Sequence, residues 1–104
     1  MDFAHSHGAV GPVLQATPLG WAVVGAIEAA NDSVQVLDEG AYLRVFASGS
    51  CRVARADIEA ELGQPVQLPG DLELVMSAFS GLLAVNEAGA VWWRSSEPRP
   101  ELPS

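Results

Sequence analysis

The chain has 104 residues, of which 49% are hydrophobic, enough for one domain with a single modest core and too apolar for a disordered tail. Its apolar residues come in short groups, none near the ~18 residues of a membrane span. Thirteen acidic residues face five arginines, lysine is absent, and the formal charge is −8; such a surface repels phosphate backbones and anionic lipid heads, so neither nucleic acid nor membrane is an expected partner.

The charge has two readings, solubility and steering toward a basic groove on a partner. Met1-Asp2-Phe3-Ala4-His5-Ser6-His7 lacks the basic end and apolar stretch of a signal peptide, so export is not expected. Cys51 is the sole cysteine, which excludes an internal disulfide and suits a reducing cytosol. No repeat or linker divides the chain. One domain is expected over residues 1–104, with a folded body at about 10–94. Residues 1–9 and the tail 95–104, which holds Pro98, Pro100 and Pro103, are expected to be flexible because they offer no apolar face to bury.

Val10–Ala16 reads as a first strand, with Pro12 placing it at an edge or near its start. Thr17 can cap a helix and Pro18 fits the first turn. That helix is expected to run to Ala30, with Leu19, Val23, Ala26, Ile27 and Ala30 on one face. Asn31-Asp32-Ser33 ends it. Trp21 and Val24 fall off the face, so either the helix is buried on two sides or Trp21 is a docking residue.

Val34–Leu37 reads as a strand, Asp38-Glu39-Gly40 as a turn and Ala41–Ala47 as a longer strand. There Leu43 and Val45 share one face, while Tyr42, Arg44 and Phe46 share the other. The aromatic–arginine–aromatic row fits a ligand platform or a half-covered sheet face with a stacked guanidinium. Ser48-Gly49-Ser50 turns the chain into Cys51–Val53. A second helix is expected from Arg55 to Leu62, with Ile58 and Leu62 inward and Asp57, Glu59 and Glu61 outward, stopped by Gly63 and Pro65.

Asp71–Met76 alternates Leu72, Leu74 and Met76 against Asp71, Glu73 and Val75, which reads as a short turn followed by a strand. The close is a hairpin, Leu82–Val85 and Ala90–Arg94 around Asn86-Glu87-Ala88-Gly89. The expected fold class is α+β: a compact domain of small, mainly antiparallel sheets and two or three helices, in the rough order β-α-β-β-α-β-β-β.

Catalytic constellations fail on inventory. A metal needs three or four converging ligands, whereas His5 and His7 lie in the start and Cys51 stands alone, a small buried thiol rather than a nucleophile. No glycine-rich phosphate cradle is present. No catalytic, metal or cofactor residue is therefore assigned, and no cofactor is expected.

Val10-Gly11-Pro12-Val13-Leu14-Gln15 resembles the opening strand of the effector, or coupling, proteins of bacterial multicomponent di-iron monooxygenases, especially the toluene and alkene branch; the methane and phenol regulatory proteins are relatives. Gly40–Val45, Ile58–Pro65, Asp71–Leu74 and Met76–Gly81 follow in the family's order and spacing. Collinearity over Val10–Arg94 carries the resemblance, since each motif alone is weak.

The resemblance implies a cofactor-free, non-catalytic protein. It would bind the hydroxylase component above its di-iron site, reshape the active site, and couple oxygen activation and electron use to substrate hydroxylation or epoxidation. A ferredoxin or reductase would compete for an overlapping surface. It also implies that Val75, Met76, Ser77, Ala78, Phe79, Ser80 and Gly81 face the hydroxylase, with small residues and Gly81 permitting close backbone approach. The other reading of that segment is strand-to-turn packing with Phe79 in the core. Trp21 is the further docking candidate. Two departures stand out: nine residues precede Val10 where the methane branch has a long arm, which speaks against an arm-dependent mechanism, and Ala54 offers no hydroxyl to cap the second helix. The rivals are a generic small acidic α+β module for protein interaction or ligand binding, and a small enzyme working through an acidic pair in a pocket.

Overall fold

A computed structural model describes residues 9–104; His5, His7 and all of the expected flexible start at 1–9 except Ala9, which opens the first strand, lie outside the described residues. The elements run β1 (Ala9–Gln15), α1 (Pro18–Ala30), β2 (Val34–Asp38), β3 (Tyr42–Ser48), β4 (Ser50–Ala54), α2 (Arg55–Leu62), α3 (Gly70–Val75), β5 (Met76–Ser80), β6 (Leu82–Asn86) and β7 (Gly89–Trp93). The expected α+β order holds, with Cys51–Val53 widened into a strand and a third helix before β5.

Two antiparallel sheets form, ordered β2-β3-β1-β5 and β4-β7-β6. Between them and the helices lies one core. The first sheet contributes Val10, Leu14, Leu43, Val45 and Ala47; the second contributes Cys51, Val53, Ala90 and Trp92. Pro12 does not mark an edge, because β1 pairs on both sides, with β3 and with β5.

Helix α1 begins where the sequence places it. Thr17 Oγ1 accepts from the Gly20 N–H at 3.1 Å, satisfying one of the N-terminal donors that has no partner within the helix. A Cβ on Gly20 would run into the Gln15 carbonyl, so glycine allows the helix start to sit directly on the end of β1. Val23, Val24, Ala26 and Ile27 are all buried. The helix is thus covered on two sides, and Trp21 alone of its large apolar residues is exposed. At the other end Asn31 joins α1 to β4. Its Nδ2 donates to the Ile27 and Arg52 carbonyls at 2.7 and 2.8 Å, and its Oδ1 accepts from Arg52 N–H at 3.1 Å. The amide therefore stands in for a strand neighbour on an otherwise open edge.

Helix α2 has the expected bounds and, at Ala54, no side-chain cap. Ile58 is buried, and Gly63 closes the helix in a left-handed conformation with its N–H on the Glu59 carbonyl at 2.8 Å. Glu59, expected to face outward, is half-buried: its carboxylate accepts from Val66 N–H at 2.9 Å and holds the following loop to the helix.

The strand expected over Asp71–Met76 is instead a helix up to Val75. Leu72 and Val75, three apart, are the buried pair, so helical spacing wins over alternation and Leu74 turns outward, 76% exposed. Over six residues the two periods compete on nearly equal terms, and burial against the core settles them.

The tail also departs from expectation. It has no helix or strand, yet its end does not hang free. Pro103 is buried, its carbonyl accepts from Asn86 Nδ2 at 3.0 Å, and a Cβ on Gly89 would stand 2.6 Å from Pro103 Cγ. One proline fitted against a turn suffices to bring the segment back. No helix among the described residues is long and apolar enough to cross a membrane.

Candidate functional site

Strand β5 is the outer strand of the four-stranded sheet. Its register against β1 is Ser80 with Gly11, Phe79 with Pro12 and Ala78 with Val13, then a shift that sets Met76 opposite Leu14. Ser77 is the extra residue of this bulge, and its Oγ donates to the Val13 carbonyl at 3.4 Å. A bulge twists an edge and interrupts its row of free backbone groups, a common protection against unwanted strand pairing.

Ser77, Ala78, Phe79 and Ser80 are all exposed and Met76 partly so. Phe79 pairs with buried Pro12 at the edge of the sheet and is 44% exposed, half-covered rather than buried in the core. Val75 departs from the expected set in the other direction. It is 3% exposed and lies against Gly20 of α1, so it anchors the segment from beneath and offers no outer surface.

Gly81 joins β5 in one sheet to β6 in the other. Its φ is +91°, and a Cβ there would lie 2.6 Å from the Trp93 carbonyl oxygen and 2.8 Å from Val10 Cγ1. The close approach that demands glycine is made by the protein's own backbone, not by a partner. From Met76 to Asn86 the chain carries no charged residue, and it edges both sheets in turn.

Trp21 is 47% exposed but stands apart from this edge. One helical turn after it, Gly25 faces the Glu61 side chain of α2, and residues four apart share a helix face. Trp21 therefore flanks α2, while Gly20 is the α1 residue turned toward the start of β5. Leu74 and Leu82, 76% and 44% exposed, were not singled out from the sequence. Alternation gave Leu74 the same face as Leu72, and only the helical turn of α3 separates them.

The aromatic–arginine–aromatic row of β3 lies on the outward face of the larger sheet. Arg44 is ion-paired through Nε to Glu39 Oε1. A shallow cleft of about 370 Å³ beyond α1 includes Asp32, and another of about 240 Å³ lies between Arg55, Gln67, Leu68 and Glu87. Each has a single carboxylate, so neither assembles a general acid and base as a pair. No group of three metal-ligating side chains occurs among the described residues. Burial pushes the Cys51 thiol up to about 12, the opposite of what a nucleophile needs.

The exposed features of this small α+β domain are a strand edge and a sheet face, the kind of surface a protein partner covers. Residues 8–93 match the MmoB/DmpM family. The chain is 36% identical over 89 residues to the effector subunit of an alkene monooxygenase system from Xanthobacter autotrophicus, covering 84% of this chain and 87% of that protein. A chain in the structure of a phenol hydroxylase–regulatory protein complex superposes with a TM-score of 0.72 at 14% identity, covering 84% of this chain and 98% of that one; at that identity the likeness speaks for the fold alone. The chain belongs to the MmoB/DmpM family. It is an effector component of a monooxygenase system, not a catalytic hydroxylase.

Proposed function

We propose that this chain is a cytoplasmic effector that binds the hydroxylase component of a di-iron multicomponent monooxygenase, with β5 at the contact. The observation that carries this reading is the extended identity with an alkene monooxygenase effector subunit. The surface at β5 supports it: four successive exposed residues, uncharged and mostly small, on a chain of net charge −8. An uncharged edge loses little on desolvation, which suits burial against a partner.

The mechanism is a population shift. An effector without a reacting group alters an enzyme only by binding one of its conformations more tightly than another, and the shift cannot exceed that difference in affinity. Bound above the di-iron site, the effector favours the conformation with a reshaped pocket, tying oxygen activation and electron use to the presence of substrate. A ferredoxin or reductase uses an overlapping surface in turn. The acidic surface speeds encounter with a basic region of the hydroxylase.

Titration into a purified hydroxylase with substrate and electron donors tests the reading. Product per NADH consumed should rise, peak near equimolar effector, and fall in excess as the electron donor is displaced. No gain at any ratio would refute the effector role for that hydroxylase. A plateau persisting at large excess would refute the shared surface.

A further inference from the structure

The larger sheet has one face in the core and one outside. Inward stand Val36, Leu43, Val45 and Leu14, all part of the core or packed on it. The register fixes what lies on the other side, because directly paired residues share a face. Leu37 pairs with Arg44, Arg44 with Val13, and Val13 with Ala78. These four make one cross-strand row over all four strands, about 14 Å long at ~4.8 Å per strand.

Tyr42 and Phe46 flank Arg44 on the same face. Leu37 is 49% and Tyr42 45% exposed, two of the six large hydrophobic residues left exposed among the described residues. Arg44 is the one charged residue at the outward positions of this sheet among the described residues, and its charge is offset by Glu39. On a chain of net charge −8, this face is close to electroneutral. Like the uncharged run Met76–Asn86, it therefore differs in charge from the acidic chain as a whole.

We infer that this outer sheet face, from Ala78 across Val13 and Arg44 to Leu37, is part of the surface that docks on the hydroxylase, against an uncharged and apolar area of that partner. The inference rests on the proposed contact at β5 and extends it. Ala78 belongs to both surfaces: it is the β5 residue that points outward in this row, so a partner seated on Ala78 meets Val13 and Arg44 next. Phe79, one residue on, points to the opposite side of the strand. A second copy of the chain is the weaker occupant, since face-to-face pairing would bring two −8 chains together.

The experiment measures hydroxylase binding and thermal unfolding for the full chain carrying Leu37→Ser, Tyr42→Ser or Ala78→Glu. Leu37 and Tyr42 are half exposed, so both serine variants should melt close to the parent. Each should bind roughly five-fold or more weakly, as for removal of an apolar residue from the covered part of an interface. If Ala78→Glu weakens binding while both serine variants bind as the parent does, the contact ends at β5 and the sheet-face inference is wrong, the β5 reading surviving. If all three bind normally, the β5 reading falls as well. Concentration-dependent dimerisation of the chain alone, abolished by Leu37→Ser, would assign the face to a second copy and overturn the proposal.

Discussion

Replacing Gly81 with alanine separates what the fold requires from what a partner requires. The residue has φ +91° and sits where β5 leaves one sheet and β6 enters the other, with the Trp93 carbonyl oxygen 2.6 Å and Val10 Cγ1 2.8 Å from a would-be Cβ. A non-glycine residue in the left-handed region costs about 1–2 kcal/mol, and displacing a backbone carbonyl and a buried valine adds an overpacking cost of about 1–3 kcal/mol. Gly81→Ala should therefore lose about 2–5 kcal/mol, a large share of the roughly 5–15 kcal/mol that holds a domain together. At about 4–8 °C per kcal/mol for a domain near this length, the melting temperature should fall by roughly 8–40 °C. Circular dichroism during heating and in urea measures it. An unchanged melting temperature combined with lost hydroxylase binding would refute this reasoning and return Gly81 to the role of admitting a partner's backbone.

Deleting Glu101–Ser104 removes buried Pro103 and its hydrogen bond from Asn86, and should lower stability by about 1–3 kcal/mol in urea unfolding; no measurable change would mean the contact contributes nothing net. Cys51 makes stability fall at high pH. Its thiol titrates near 9.0 when unconstrained and near 12 when folded, so above pH 9 the unfolded chain sheds a proton that the folded chain keeps. The contribution is complete below pH 9 and is lost toward pH 12 at about 1.4 kcal/mol per pH unit. Cys51→Ala should flatten that fall, and an identical alkaline profile for the two proteins would count against the thiol as its source.

The sequence by itself determined the elements whose local signals agree with one another. Thr17-Pro18 set the start of α1 and Asn31 its end, Gly63 closed α2, and Asn86–Gly89 folded the last hairpin; in each case the determining atoms lie within a few residues of the feature they make. The alternation of Leu43 and Val45 against Tyr42, Arg44 and Phe46 likewise named the two faces of β3, because a strand's period of two needs no distant partner. The candidate site was legible as a segment, through the collinear motifs, but not as a surface. Tertiary structure alone decided that Val75 points into the core and Leu74 away from it, since a six-residue stretch fits helix and strand alike until a core is present to bury one set. It also placed the end of the tail against Gly89, and it made Gly81 a crossing between two sheets. Those outcomes depend on contacts between residues far apart in the chain, and such contacts leave no periodic trace in the residues that make them.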